Sequence, residues 1–283
     1  MSPSINSPGR DTTLIVVPCF NEAPRLRVDA FVEFLADAAN VTLMFVDDGS
    51  TDETRFVLEK LREQNPRQVC VLQLDANVGK AEAIRLGIQA GLKRDPAMIG
   101  YWDADLATPL DAIPRFIERL KLRPELKLVM GSRVALLGRR IERSPWRHLI
   151  GRVFATCASV VLGLPVYDTQ CGAKLFRVSP ATRDLFSQPY RSRWVFDVEI
   201  LARLTASERG NTNAFKHESI YEYPLEEWCD VAGSHLKATD FLSAGVDLAA
   251  IYWLYRKRRS WPLRPQRATA GRLELRVQTR EAA

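Results

Sequence analysis

The sequence predicts an α/β protein with a mostly parallel sheet that is flanked by helices on both faces. Apolar runs alternate five times with amphipathic stretches through residue 130, which is the pattern of strand–helix units. Polar residues cluster directly after these apolar runs, where the strands of a parallel sheet place their ligands. The composition, with 46% hydrophobic and 26% charged residues in 283, excludes a disordered chain, a collagen-like repeat and a coiled coil.

The five strands are predicted from short apolar runs. They cover residues 13–18, 41–46, 69–74, 97–102 and 126–130. A first helix is expected over residues 24–38, and a second with Ser50 or Thr51 as its N-cap, since acids follow at Asp52 and Glu53. A third helix is expected over residues 80–92, and a fourth from Pro109, a residue suited to a first turn.

The second half of the chain is less regular. Six arginines lie between residues 133 and 152, followed by a mostly apolar segment at 153–166 that is too short to span a bilayer. A strand is expected near 174–178, a helix from Trp194, and a long helix over 235–255. We expect a disordered N-terminus at 1–12, one main domain at 13–235, an amphipathic helix at 236–259 and a basic tail at 260–283.

The net charge of +6 is unevenly distributed. Residues 256–283 hold nine basic and two acidic residues, which leaves 31 basic and 32 acidic residues elsewhere. A basic surface for duplex nucleic acid is therefore not indicated, and we expect no nucleic-acid partner. Five scattered cysteines without a CxxC spacing, and no signal peptide, favour a reducing, cytoplasmic location.

The sharpest motif is Asp103-Ala104-Asp105, directly after the fourth strand. Two carboxylates at i and i+2 suit Mg²⁺ or Mn²⁺ and leave positions on the metal for a diphosphate. The alternative is that both acids are merely solvated at the end of the strand. Acids also follow other predicted strands, and this favours the metal site.

Further polar residues follow the neighbouring strands. A carboxylate of Asp47-Asp48-Gly49-Ser50 suits hydrogen bonds to a ribose or base, although turn and capping chemistry explains Gly49 and Ser50. Lys80 of Asn77-Val78-Gly79-Lys80 suits a phosphate. Arg133 is the arginine of its cluster most suited to a phosphate. Trp194 and Asp197 offer an aromatic platform beside an acid, although a core tryptophan and a capped helix explain them equally well. No GxxxxGK[ST], GxGxxG, GxSxG or HExxH motif is present.

Together these motifs resemble those of family 2 glycosyltransferases of the GT-A fold. The similarity is greatest to the polyprenyl-phosphate sugar transferases, especially their dolichyl-phosphate β-glucosyltransferase branch. Seven motifs occur in the family's order between residues 13 and 255: VPCFNE (17–22), DDGSTD (47–52), NVGK (77–80), DAD (103–105), GSR (131–133), DTQCGAKLF (168–176) and WVFDVE (194–199).

The resemblance implies a role for each matching residue. Donor-binding residues would be Pro18, Glu22, Asp48, Lys80 and Asp103. Asp103 and Asp105 would hold Mg²⁺ or Mn²⁺, and the catalytic residues would be Asp105, Arg133 and Asp197. The acceptor would be contacted by Arg133, Lys174 and Trp194.

The implied reaction is an inverting transfer of a sugar, with glucose and a UDP-sugar favoured, to a polyprenyl- or dolichyl-phosphate lipid. Ala107 stands where mannosyl-transferring relatives often carry Gln, so metal affinity or sugar choice is expected to differ. The sequence contains no predicted span, so we expect peripheral binding to the cytoplasmic face of the inner membrane through the C-terminal helix and basic tail.

Three alternatives remain open. A hydroxyl acceptor on a saccharide would need a general base, for which Asp197 or Asp168 is the candidate. A nucleotidyltransferase lacks support because Cys19-Phe20-Asn21-Glu22 replaces its phosphate loop. A non-catalytic membrane-surface or partner-binding protein on the same fold is disfavoured by the intact Asp103 and Asp105.

Overall fold

Nine strands are found in the computed structural model, which describes residues 12–142, 145–211, 217–229 and 238–257. The strands are β1 (Thr13–Cys19), β2 (Val41–Asp47), β3 (Val69–Gln73), β4 (Met98–Trp102), β5 (Leu128–Ser132), β6 (Arg140–Glu142), β7 (Ala173–Arg177), β8 (Ile220–Pro224) and β9 (Glu227–Cys229). Seven of them form one sheet in the order β3-β2-β1-β4-β7-β5-β8, and β6 pairs with β9 separately. Every pair in the large sheet is parallel except those that β7 makes with β4 and β5.

Helices cover both faces of this sheet. They are α1 (Val28–Asp37), α2 (Thr54–Gln64), α3 (Lys80–Leu92), α4 (Ala112–Leu122), α5 (Pro145–Leu162), α6 (Pro180–Leu185), α7 (Phe196–Asn211) and α8 (Ala238–Ile251), which continues as a π-helix (Tyr252–Lys257). Strand alternation sends Leu14 and Val16 into one core with α3, α5, α7 and α8. Ile15 and Val17 enter the opposite core with α1, α2 and α4. The predicted α/β class with a mostly parallel sheet, as expected for the GT-A fold, is confirmed.

Several predicted boundaries are wrong, for local reasons. The first helix begins at Val28 rather than at residue 24, because Arg25 and Leu26 donate their backbone N–H groups to the carbonyl of Glu22 in a tight turn. The second begins at Thr54, since Ser50 and Thr51 hydrogen-bond to the β1–α1 loop instead of capping it. The strand expected over 174–178 is antiparallel, which no local pattern indicated.

The C-terminal helix packs against the rest of the fold. Leu248, Ile251 and Tyr255 are buried with residues of α5 and α7, while Val246 and Trp253 face solvent. The predicted boundary between residues 235 and 236, the N-terminus up to residue 11 and the tail from residue 258 lie outside the described residues. Within the described residues, no helix combines the length and apolarity that a membrane span requires.

Candidate active site

The carboxyl ends of β1, β2, β4 and β5 lie at one edge of the sheet, because these strands are parallel to one another. Since β7 runs in the opposite direction, the segment that precedes it, residues 168–172, reaches the same edge. Polar side chains predicted from five separate motifs are therefore brought together here.

The loops after β1 and β2 are joined by hydrogen bonds. The backbone N–H of Asn21 donates to Ser50 Oγ at 3.0 Å, and the N–H of Thr51 donates to Asn21 Oδ1 at 2.9 Å. Thr54 Oγ1 accepts from the N–H of Glu22 at 2.8 Å. The buried Glu22 carboxylate forms an ion pair with Arg25. This wall, with the partly buried Pro18 near the end of β1, is thus held together by contacts within the protein itself.

Asp48 fastens the loop before α3 to the end of β2. Its two carboxylate oxygens accept from the backbone N–H groups of Val78 at 2.7 Å and Gly79 at 2.9 Å. Burial raises the pKa of Asp48, while these two hydrogen bonds partly oppose the rise. Gly79 has φ +93°, a conformation that favours glycine, so the NVGK sequence fits this turn.

Asp103 and Asp105 lie directly beyond β4, and Lys80 reaches Asp103 from the start of α3. The Lys80 ammonium is 2.6 Å from Asp103 Oδ1, and its side chain is 48% exposed. Burial lowers the pKa of Lys80, but attraction to Asp103 outweighs it and raises the pKa above its ordinary value. Burial and then repulsion from Asp103 raise the pKa of Asp105, whose Oδ1 accepts from Ala107 N–H at 3.0 Å.

The turn after these carboxylates is strained. Leu106 has φ +53°, a left-handed conformation that costs a bulky residue about 1–3 kcal/mol. Trp102, fully buried, donates its indole N–H to the carbonyl of Thr108 at 2.8 Å across this turn. This hydrogen bond thus helps to hold the turn that carries both carboxylates.

These two carboxylates fit a hard divalent cation. Burial, and then the charge of Asp103, raise the pKa of Asp105, and a cation bound beside both carboxylates would stabilise their ionised forms. The described residues contain no group of three or more His, Cys, Asp or Glu side chains arranged to hold a metal. A metal held by Asp103 and Asp105 would therefore take its remaining ligands from water and a diphosphate.

Gly172 makes room for Asp103. A Cβ added to this glycine would lie well inside contact distance of all three Asp103 carboxyl atoms. The loop before β7 therefore packs its backbone directly against the first acid of the DAD motif. Any side chain at position 172 would displace that carboxylate.

Arg133 is held by Asp168 in a two-point ion pair. Its Nε and terminal nitrogen lie 2.6 and 2.7 Å from the two Asp168 oxygens, and its backbone N–H donates to Asp168 Oδ2 at 3.1 Å. Although burial opposes ionisation, the charge of Arg133 lowers the pKa of Asp168 to about 2. Burial raises the pKa of Glu222, whose carboxylate accepts the N–H groups of Tyr167 and Asp168 and so positions the pair.

Lys174 and Asp197 form a second, deeper ion pair of 2.6 Å. Lys174 is fully buried, and its ammonium also donates to the carbonyls of Thr169 at 3.0 Å and Cys171 at 2.8 Å. Tyr101 donates its hydroxyl to Asp197 Oδ1. All three ammonium protons of Lys174 thus have protein acceptors, so contact with an acceptor phosphate would require one of them to be released.

The structure groups most of the predicted residues but separates two of them. Five of them lie together at the carboxyl edge: Asp48, Lys80, Asp103, Asp105 and Arg133. The negative charge of Asp103 contributes to raising the pKa of both Lys80 and Arg133. Trp194 is 47% exposed and is part of no core, whereas Lys174 is entirely internal.

Sequence reasoning missed other residues near this site. Glu222 lies on β8, a strand that was not predicted, and Tyr101 looked like any core aromatic residue. Arg193 reaches Gly79 from a distant part of the chain. These contacts join residues that are far apart in the chain, so the sequence does not reveal them. For Arg193 the one available signal was its position directly before the WVFDVE motif.

Comparison with known proteins bears on the family of the chain. The model of glycosyl transferase family 2 matches residues 14–183. The chain is 35% identical to the dolichyl-phosphate beta-glucosyltransferase of Homo sapiens over 89% of this chain and 78% of that one. It is 29% identical to dolichyl-phosphate beta-glucosyltransferase ALG5C of Trichomonas vaginalis, over 90% and 74%.

A solved structure shares the fold. Glucosyl-3-phosphoglycerate synthase from Mycobacterium tuberculosis, in complex with Mn²⁺ and uridine-diphosphate-glucose, superposes with a TM-score of 0.59 at 16% identity. The superposition covers 86% of this chain and 78% of that one. With the family match and the fold in agreement, the chain belongs to glycosyl transferase family 2.

Proposed function

We propose that this glycosyltransferase moves glucose from a nucleotide-sugar donor, UDP-glucose by preference, to the phosphate of a dolichyl- or polyprenyl-phosphate lipid, with inversion at the anomeric carbon. The observation that carries the proposal is the pairing of Asp103 and Asp105 at the end of β4 with Lys80 beside them and Arg133 within electrostatic range. The relatives named dolichyl-phosphate beta-glucosyltransferase support glucose and a lipid phosphate.

The donor would lie across the carboxyl edge, from the β1–β2 wall to the DAD turn. Pro18, Glu22 and Asp48 would border the nucleoside, and Lys80 would lie beside the diphosphate. Asp103 and Asp105 would hold Mg²⁺ or Mn²⁺, which neutralises the charge of a departing nucleoside diphosphate when bound. The crystallised neighbour with Mn²⁺ and UDP-glucose supports this choice of metal and donor.

A phosphate acceptor matches the chemistry of the acceptor side. Phosphate oxygens are already ionised at neutral pH, so no strong general base is needed to make them nucleophilic. Asp197 Oδ1 already accepts from Lys174 and Tyr101, which suits holding the site together better than proton abstraction. Arg133 and the half-exposed Trp194 would then face the acceptor, with Lys174 as a positioning residue.

The donor proposal is tested by thermal stabilisation. UDP, GDP and their sugars are added with Mn²⁺ to the wild type and to Asp105→Ala, because a ligand that binds only the folded state raises the melting temperature. We expect UDP-glucose to stabilise the wild type in a metal-dependent manner and the variant much less. Absence of a metal-dependent shift with every nucleotide sugar would contradict an enzymatic role and favour a non-catalytic protein on this fold.

The acceptor proposal is tested by incubating the enzyme with labelled UDP-glucose and dolichyl phosphate. We expect a glucolipid that is labile to mild acid, and Asp197→Asn to reduce its formation without abolishing it. Complete loss of turnover in Asp197→Asn with unchanged donor binding, together with transfer to a saccharide hydroxyl, would favour the alternative acceptor.

We also propose contact with a membrane surface. Leu149, Val153 and Val160 form an exposed apolar stripe on α5, and Val246 and Trp253 form another on the C-terminal helix. The basic residues from Arg256 onward follow this second stripe directly. An apolar face that ends in basic residues suits an anionic lipid surface, in keeping with a lipid acceptor and a cytoplasmic-face location.

A further inference from the structure

We propose that Arg193 contacts the phosphates of the nucleotide donor and that the C-terminal helix α8 holds it there. This inference rests on the proposed function, because it assumes a nucleoside diphosphate at the carboxyl edge. It adds a donor contact outside the β1–β4 half of the sheet, from the segment that precedes α7.

Arg193 lies over the loop that Asp48 fastens. Its Nε and Cζ atoms lie 3.8 and 3.9 Å from the position of a Cβ at Gly79. Gly79 directly precedes Lys80, which forms the ion pair with Asp103. The guanidinium therefore stands at the start of α3, next to the predicted diphosphate position.

The electrostatic setting leaves Arg193 available for an anion. Its side chain is exposed, and none of the acids in the described residues lies within ion-pair distance of it. Its positive charge partly opposes the rise that burial gives to the pKa of Asp48. An arginine fork that forms no ion pair with the acids of the described ranges, beside a lysine and the first turn of a 13-residue helix, suits phosphate oxygens.

The residue before Arg193 is fixed by α8. Ser192 is buried, and its hydroxyl donates to Asp247 Oδ2 of α8 at 2.5 Å. Ser192 Oγ itself accepts from the N–H groups of Trp194 at 3.2 Å and Val195 at 3.0 Å. Asp247 thereby orients the Ser192 hydroxyl, which in turn holds the backbone that follows Arg193.

A second link joins this segment to the end of the C-terminal helix. The N–H of Arg191 donates to Glu199 Oε2 at 2.8 Å, and Glu199 Oε1 accepts from the hydroxyl of Tyr255 at 2.8 Å. Buried Arg203 completes the group through its 2.8 Å ion pair with Glu199. The C-terminal helix therefore contacts this segment through Asp247 and, by way of Glu199, through Tyr255. The position of Arg193 thus depends on a helix that is remote from it in sequence.

The first test measures UDP affinity by calorimetry in the presence of Mn²⁺. We expect Arg193→Ala to weaken UDP binding roughly 10- to 100-fold, the range for a hydrogen bond to a charged group, and Arg193→Lys to weaken it less. The matched control is Arg191→Ala, which removes an exposed arginine side chain from the same segment and keeps the backbone N–H that donates to Glu199. If the wild type binds UDP and Arg193→Ala binds it equally well, this inference is wrong while the proposed function stands. A wild type that binds no nucleotide sugar contradicts both.

The second test is a double-mutant cycle with Asp247. We expect Asp247→Ala to weaken UDP binding, Asp247→Asn to restore most of it because the amide oxygen still accepts from Ser192, and Asp247→Ala to add nothing in the Arg193→Ala background. Melting temperatures of all variants separate loss of fold from loss of contact. An additive effect of the two alanine variants in folded protein would overturn the positioning role of α8.

Discussion

Single residues at the carboxyl edge are constrained by packing as much as by chemistry. Gly172 is the clearest case, because the Asp103 carboxylate occupies the space that a side chain at 172 would need. Asp103 in turn receives the Lys80 ammonium. A motif glycine that looks like a turn residue in the sequence therefore determines where the Asp103 carboxylate, a proposed metal ligand, can lie.

We predict that Gly172→Ala impairs metal-dependent donor binding without unfolding the protein. The added methyl group must move the Asp103 carboxylate, while the apolar cores on both faces of the sheet stay intact. Mn²⁺-dependent UDP binding should fall at least about tenfold, one misplaced charged contact being worth about that much.

Gly245→Ala on α8 provides the matched control, because a Cβ there meets nothing within 4 Å. Alanine in a helix interior is more stable than glycine by about 0.5–1 kcal/mol, so this variant should melt no lower than the wild type. Equal UDP binding by Gly172→Ala and the wild type would show that Asp103 does not depend on this glycine.

Asp168 gives a prediction for pH dependence. Its pKa in the folded protein is lowered to about 2, chiefly because the charge of Arg133 outweighs burial. A depressed carboxyl pKa stabilises the fold fully above the ordinary pKa near 4, and this contribution, about 2–3 kcal/mol, is lost as the pH falls towards 2.

The measurement is the free energy of unfolding of the wild type and Asp168→Asn between pH 6 and pH 2. The wild type should be more stable at pH 6, and the difference should shrink as the pH falls, because only the wild type loses an ion pair. The exposed Asp75→Asn serves as control. If the difference in the free energy of unfolding between the wild type and Asp168→Asn stays constant with pH, the pKa of Asp168 is not lowered in the folded protein.

At the scale of secondary-structure elements, β7 does the most to build the site. It is inserted antiparallel between β4 and β5, so that its preceding loop brings Asp168 to Arg133 and Gly172 to Asp103. Lys174, the second residue of β7, anchors that loop through the carbonyls of Thr169 and Cys171.

We predict that Lys174→Met destabilises the protein by about 3–5 kcal/mol, because it leaves Asp197 buried without its cationic partner. Adding Asp197→Asn should recover part of this loss, since the unpaired charge is then gone. Denaturant unfolding measures both effects. The exposed Lys60→Met on α2 is the control, with an expected change within about 0.5 kcal/mol. If Lys174→Met is as stable as Lys60→Met, the ion pair with Asp197 contributes nothing to stability, and Lys174 is not a positioning residue.

The sequence was informative about β1 to β4 and α3, because alternating apolar runs report local burial directly. Residues 80–92 were predicted as a helix and are one. It was less informative about β7, β8 and the role of Lys174, since strand direction and pairing across about 50 residues leave no local pattern. The contacts of Glu222 and Arg193 could not be predicted for the same reason, because their partners lie far away in the chain.

For the whole molecule, the uneven distribution of charge matches the proposed separation of the active site from the membrane contact. The described fold carries the site, and the basic excess follows the exposed Trp253. We predict that deleting residues 258–283, which hold seven basic and two acidic residues, weakens binding to anionic vesicles at least about tenfold.

Sedimentation with phosphatidylserine-containing vesicles measures this, with neutral phosphatidylcholine vesicles and raised salt as controls. Donor binding by the shortened protein should be unchanged, because the Asp247 and Tyr255 contacts remain. If the shortened protein binds anionic vesicles as tightly as the full chain, the tail plays no part in membrane contact.

The position of β7 also sets the order in which the chain can complete its fold during synthesis. β4 ends at Trp102, but the strand that pairs with its free side ends only at Arg177. At ribosomal speeds of about 5–20 residues per second, some 4–15 s pass between the two, while half of the sheet presents an open edge beside Asp103. The edge that carries the proposed metal ligands is therefore among the last parts of the sheet to be assembled, and this interval is when a chaperone would protect the nascent enzyme best.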